Sequence, residues 1–112
     1  MKSPFNYSEI PDYMRAGLCK YIVYGVEPGG FLSAVLSNDL GRACGKADNS
    51  NMWVLPMYMA WLYNEVPGIS KGSGQLFQGW MESGGMKGRS QWGEVEAGNK
   101  YDALMETFVD NA

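Results

Sequence analysis

The chain has 112 residues, of which 46 % are hydrophobic and 19 % charged, with a formal net charge of -3 and no histidine. That length supports one compact core and not two, and the composition is that of a folded domain. So mild a charge argues against direct nucleic-acid binding, which needs a basic footprint; even residues 1–47, with five basic and four acidic side chains, reach only +1. No run of about 18 apolar residues and no charged start followed by an apolar stretch is found, so neither a membrane span nor a signal peptide is expected.

The first seven residues read as an N-terminal arm. Pro11 suits the start of a helix, and Asp12 sets a carboxylate near the positive end of its dipole. Ile10, Met14, Leu18 and Ile22 recur every four residues with Tyr13 and Tyr21 alongside, which predicts an amphipathic helix closed by Gly25 before Pro28. Pro28-Gly29-Gly30 makes a turn, and Phe31 opens a second helix running to about Gly45. Leu32, Leu36, Leu40 and Ala43 fall on one face of it, beside a stripe of small residues, Ser33, Ser37, Gly41 and Gly45. Gly41 inside a helix costs roughly 1 kcal/mol relative to alanine; close approach of another backbone and simple tolerance are two open explanations. Asp39, at the edge of the apolar face, needs a partner, and an ion pair with Arg42 or Arg15 is its expected role.

Residues 48–51 are polar and cap a third helix. Pro56 leaves two readings of its start open, a kink inside one helix or the first turn of the main one. Leu55, Tyr58, Met59, Leu62 and Val66 supply a core face. Trp53, Met57 and Trp61 form a second stripe opposite, with Val54 beside it. A helix apolar all round is buried on both sides, so the second face is covered by the glycine-rich tail, by another copy or by a target. Tyr63 is expected to pack inward, with Asn64 and Glu65 toward solvent.

Between Gly72 and Gly98 lie eight of the chain's 15 glycines. A short helix carrying Leu76, Phe77, Trp80 and Met81 is expected first. Residues 84–98, which include Trp92, then read as an irregular glycine-rich loop or weak hairpin. Asn99 caps a last helix in which Tyr101, Leu104, Met105, Phe108 and Val109 follow helical spacing. The fold expected is mainly α: one domain, a bundle of four to five short helices with a glycine-rich loop before the last.

The inventory for chemistry is thin. Without histidine a general base near neutral pH must be a shifted carboxylate, lysine or thiolate, and the two cysteines have no zinc-ligand partners. Glu94 and Glu96 are read as solvated. Pro28-Gly29-Gly30 and Gly72-Ser73-Gly74 precede helices but lack the spacing and preceding strand of a phosphate loop. No enzyme activity, cofactor or metal is expected. In an antiparallel pair of helices turning near Glu27, Cys19 and Cys44 sit roughly 13 Å apart along the axis, too far to bridge, so free, largely buried thiols and a reducing compartment are expected. The totals of 8 methionines, 4 tryptophans and 7 tyrosines suit both core filling and binding surfaces.

The run PGGFLSAVLSNDLGRACGKAD, followed by Asn51, Leu55, LYNEVP and GS, resembles a family of small proteins encoded by tailed phages and prophages. The similarity spans roughly residues 10–80. Its motifs label a family and are diagnostic of no chemistry, so no catalytic residue is carried over. This chain departs from the pattern at Pro56 and in the segment after Trp80, which reads as an addition. The resemblance implies a phage-encoded protein acting in the host bacterial cytoplasm. By analogy with other small phage accessory proteins, it implies binding that inhibits or redirects a host or defence protein, an anti-CRISPR-like role among them.

The partner-binding candidates are Trp53, Met57, Trp61 and Val54, then Ser33, Ser37, Gly41, Asp39, Asn64, Glu65 and Trp92. Two other classes of function stand beside this one: a small-ligand or nucleotide sponge formed in a homo-oligomer, and a purely structural oligomer.

Overall fold

The best-defined element begins where Pro11 presets the backbone for a helix. In the computed structural model, which describes residues 6–109, Pro11 is the N-cap of α1 (Asp12–Tyr24), and Gly25 closes it in the left-handed conformation at φ 72°. Leu18, Tyr21 and Ile22 are fully buried, as is Ile10 just before the helix, while Tyr13 on the outer face is exposed. Ahead of it a 3₁₀ turn, Tyr7–Glu9, is capped by Asn6. Tyr7 is buried, so the described part of the N-terminal arm already belongs to the core. The rest of the arm, residues 1–5, lies outside the described residues.

The described residues form eight α-helices and no strand. Beyond α1 these are α2 (Gly30–Leu36), α3 (Leu40–Lys46), α4 (Asn49–Met52), α5 (Leu55–Asn64), α6 (Gly74–Glu82), α7 (Gly85–Ser90) and α8 (Glu94–Glu106), with a second 3₁₀ turn at Gly68–Ser70. The class is mainly α, but the helices are more numerous and shorter than the sequence pattern implies. Three departures account for the difference.

First, the helix expected from Phe31 to Gly45 is two helices. Ser37, Asn38 and Asp39 all bond readily to nearby backbone, which competes with helix continuation. Asn38 takes φ 61°, and the Asp39 carboxylate then caps α3 by accepting from the Arg42 backbone N–H at 3.1 Å. Second, of the two readings left open at Pro56 the structure takes the later start, a short first turn and then the main helix, so Pro56 neither kinks nor interrupts a long one. Asp48 caps the single turn of α4, the chain breaks at Trp53–Val54, and α5 restarts with Pro56 in its first turn, where a missing N–H costs nothing. Third, the segment 84–98 is not a loop or hairpin. It holds α7 and the start of α8, so Asn99 lies inside α8 and Gly93 is its N-cap. Glu94 and Glu96 occupy the first turn of α8, where carboxylates oppose the helix dipole favourably.

α1 packs against both α7 and α8. The α1–α7 crossing is backbone on backbone: a Cβ at Gly85 would stand 2.6 Å from the Gly25 nitrogen and 2.8 Å from the Ile22 carbonyl oxygen. Next to it the Trp80 indole N–H reaches the carbonyls of Tyr21 (3.0 Å), which also accepts from the Gly25 N–H at 2.9 Å, and Ile22 (3.1 Å), both at the end of α1. The Tyr21 hydroxyl in turn donates to the Ser70 carbonyl at 2.7 Å and its ring stacks on Phe77. The core is therefore built around α1, with α2 (Phe31 to Leu36) and α5 (Tyr58, Trp61 and Leu62) supplying most of its other buried side chains and α6, α7 and α8 completing it.

Candidate functional site

The stripe Trp53–Met57–Trp61 does not exist as a surface, because the helix break at Trp53–Val54 separates its first member from the other two. Trp61 is 0 % exposed. It stacks on Phe108 with ring centroids 5.2 Å apart and donates its indole N–H to the Thr107 hydroxyl at 2.7 Å. The C-terminal tail thus covers it, the internal alternative of the three left open. Met57 is half-buried and packed against the core, as is Val54. Trp53 is 83 % exposed. Of the four leading candidates, only Trp53 is a large side chain open to solvent.

The secondary candidates also separate. Ser33 is buried and donates to the Pro28 carbonyl at 3.2 Å, and Ser37 ends α2. Gly41 is exposed on α3 with open space where a Cβ would be, so among the described residues no backbone approaches it. These three make no common face. Asp39 is a helix cap whose second oxygen lies 4.0 Å from the Arg42 guanidinium. Arg15 is engaged elsewhere, with Asp12 at 3.0 Å and with the Ile10 and Ser8 carbonyls, both at 2.9 Å. Tyr63 is exposed beneath the Lys71 ammonium, which lies 4.9 Å from its ring centre, so it does not pack inward. Glu65 is half-buried and accepts from Tyr7, while Asn64 is solvent-facing and returns its amide to the Ala60 carbonyl at 2.7 Å. Trp92 is partly buried against the core.

What the fold does assemble is an apolar groove of about 340 Å³. Ala34 and Val35 of α2, Leu40 and Ala43 of α3, and Leu55, Pro56 and Met59 of α5 line it. Asn38 and Asp39, from the bend between α2 and α3, add its polar contribution. Leu40 is 70 % exposed, because breaking the long helix rotates it out of the stripe it would have shared with Leu32 and Leu36. Trp53 stands just upstream of Leu55. α4 is fixed to α5 by the Tyr58 hydroxyl, which donates to the buried Asn51 side chain at 2.5 Å, and to α1 by a Tyr13–Asp48 hydrogen bond. The Asp48 carboxyl is held below its ordinary range, chiefly by that hydrogen bond from Tyr13.

No lining residue is basic, and Asp39 is a carboxylate, so the groove is matched to apolar groups and mismatched to phosphates. Leu40, Leu55 and Met59 were all legible as apolar, but the pattern assigns them to core faces and reads Pro56 only as a mark of the helix start. The signal that could have found the site is Ser-Asn-Asp, a helix stop and restart written into three residues.

Among the described residues no three Cys, Asp or Glu side chains gather as a metal site requires, and no helix is long and apolar enough to cross a membrane. Cys19 is buried and Cys44 half-buried, both as free thiols. Comparison with protein-family models, with curated proteins and with solved structures finds no match.

Proposed function

We propose that this chain is a non-catalytic, phage-encoded accessory protein that works by contact with a bacterial host or defence protein in the host cytoplasm, inhibiting or redirecting it. The observation that carries the contact reading is the apolar groove between α3 and α5, lined in part by the largely exposed Leu40, with Trp53 exposed two residues before the lining residue Leu55 in the chain. An open apolar recess with an exposed aliphatic side chain in its lining, and an exposed tryptophan close to it in sequence, supplies the residue types of an interface centre, where tryptophan is enriched and truncation to alanine costs about 2 kcal/mol or more. The phage origin and the anti-defence role rest on the motif resemblance.

The test is affinity capture from lysate of a bacterial host, with the wild-type chain and with Leu40→Glu and Trp53→Ala. Both positions are exposed, so the variants fold. A host protein retained by the wild type and lost by both variants supports the reading. A partner retained equally by all three moves the surface elsewhere, and capture of nothing at micromolar concentration counts against a protein target.

The groove's volume also falls at the lower end of small-ligand pockets, about 300–1,000 Å³, which favours a second reading as a binder of small apolar molecules. Its lining suits such ligands better than nucleotides. A thermal-shift screen separates the two, since a ligand at 100 times its Kd adds about 2.7 kcal/mol.

A further inference from the structure

Residues 30–46 carry an amphipathic pattern that their own fold interrupts. Leu32, Leu36, Leu40 and Ala43 recur with the period that sets them on one face of a single helix. Yet helix α2 stops at Leu36 and α3 restarts at Leu40. The interruption holds Asn38 at φ 61°, a conformation disfavoured for residues with a Cβ and tolerated best by glycine, then asparagine. It also strands Leu40 in solvent. α3 itself is lightly held: Ala43 is its one buried residue, and its main packing partner is α2, its neighbour in the chain. Pattern, backbone and burial thus all single out residues 37–39.

We propose that residues 37–39 are a hinge between two arrangements of this segment: the bent α2–α3 described above, and one continuous helix over residues 30–46. Straightening releases Asn38 from the left-handed region and gives the Leu40 N–H the Leu36 carbonyl as its helical partner. It gives up the Asp39 cap, the two bonds that close α2 (Asn38 N–H to the Val35 carbonyl at 3.1 Å and Asp39 N–H to the Ala34 carbonyl at 2.9 Å), the Gly72 N–H bond to the Leu36 carbonyl at 3.0 Å and the burial of Ala43, so the bent form is the major one. The straight helix is about 25 Å long at 1.5 Å per residue. Its distal end carries Leu40 and Ala43 away from Leu55 and Met59, so the groove exists only in the bent form. Anything seated between α3 and α5 therefore holds the hinge bent, by differential affinity for the two states. The hinge stands whether or not the groove's occupant is a protein.

The experiment is a pair of spin labels, one on α3 and one on α5, read by pulsed electron resonance. Gly45→Cys is suitable because open space surrounds that position, and Tyr63→Cys because Tyr63 is exposed. Cys44→Ser removes the competing thiol, and Cys19 is fully buried.

Two distance populations are expected, and residue 38 sets their ratio. Asn38→Gly removes the left-handed penalty and weakens the straight helix, while Asn38→Ala does the reverse. The minor population should rise about tenfold or more from the first to the second. A single distance in all three chains, or a second population indifferent to residue 38, overturns the hinge. Should Asn38→Ala fail to fold, asparagine against Asn38→Gly decides. Depletion of the minor distance by glycine supports the proposal, and an unchanged distribution or no second distance refutes it.

Discussion

The two ends of the α5 segment are held in opposite ways. At its C-terminal end Trp61 is enclosed, stacked on Phe108 and hydrogen-bonded to Thr107, with Leu62 fully buried beside it. At its N-terminal end Leu55 and Pro56 face an open groove, and Trp53 lies in solvent. Two tryptophans of the same chemistry, two helical turns apart in sequence, thus serve one as a core anchor and one as a surface group. The difference is made by α8, whose last turn reaches the far end of α5. The near end faces α2 and α3 across the groove, and α3 is a short helix that leaves its leucine outside.

Truncating the enclosed tryptophan should break the contrast most sharply. Trp61→Ala is expected to lower stability by about 3–5 kcal/mol, the range for deleting a large buried side chain, seen as a fall in the denaturant midpoint. If Trp61→Ala melts as the wild type does, the end of α8 does not dock as described.

Alkali should then load the enclosed core, to which the closed end belongs, without any substitution. Burial pushes the Cys19 thiol up to about 12 from its ordinary 9.0. The Tyr21 and Tyr58 phenols are likewise raised above 10.0, first of all by burial. These protons stay on in the folded chain and come off in the unfolded one. The stability they contribute is therefore complete below pH 9.0 and is lost as the pH rises toward 12. The thiol alone sets a slope of roughly 1.4 kcal/mol per pH unit in that window. Thermal melts between pH 8 and 11 should show the decline, and Cys19→Ala should make its first part shallower. An equal decline in that variant would mean the thiol is not buried.

The smallest effect belongs to the open end. Leu40→Ala and Trp53→Ala should each change stability by no more than about 0.5 kcal/mol, as for surface sites. A loss of several kcal/mol in calorimetry from either would show that the groove is closed by this chain's own residues.

How far the residues foretold this arrangement depended on which physical term dominated locally. α1 was legible from the four-residue recurrence of Ile10, Leu18 and Ile22 and from Gly25 as its cap, because pattern and capping agree there. The inward face of the last helix was legible in part: Leu104 and Phe108 are buried, while Val109 of the same stripe is exposed. At Ser37–Asp39 the two signals conflict. The apolar period continues through them, but all three side chains favour local hydrogen bonds, and capping prevailed. Residues 84–98 misled in the other direction. Their glycines suggested a loop, while the packing of α7 on α1 demanded glycine at 85 within a helical segment. Of the candidate site, Trp53 and Asp39 were marked in advance. The groove itself was not, because it depends on a bend that periodicity alone conceals.

The meeting of Gly25 with Gly85 has a consequence for the order in which the molecule can be assembled. α1 comes early in the chain and has a strong pattern, yet its C-terminal end is finished by parts that lie far along it. The Trp80 indole takes up two of its last carbonyls, and the backbone at Gly85 closes against its cap. A chain growing from its N-terminus can wind α1 as soon as Tyr24 is available, but it cannot complete that end until residue 85 arrives. Until then Tyr21, Ile22 and the carbonyls beside them remain wet. The first helix to form is thus among the last to be sealed, and a chain ending before residue 80 should carry α1 as a fraying amphipathic segment rather than as the centre of a core.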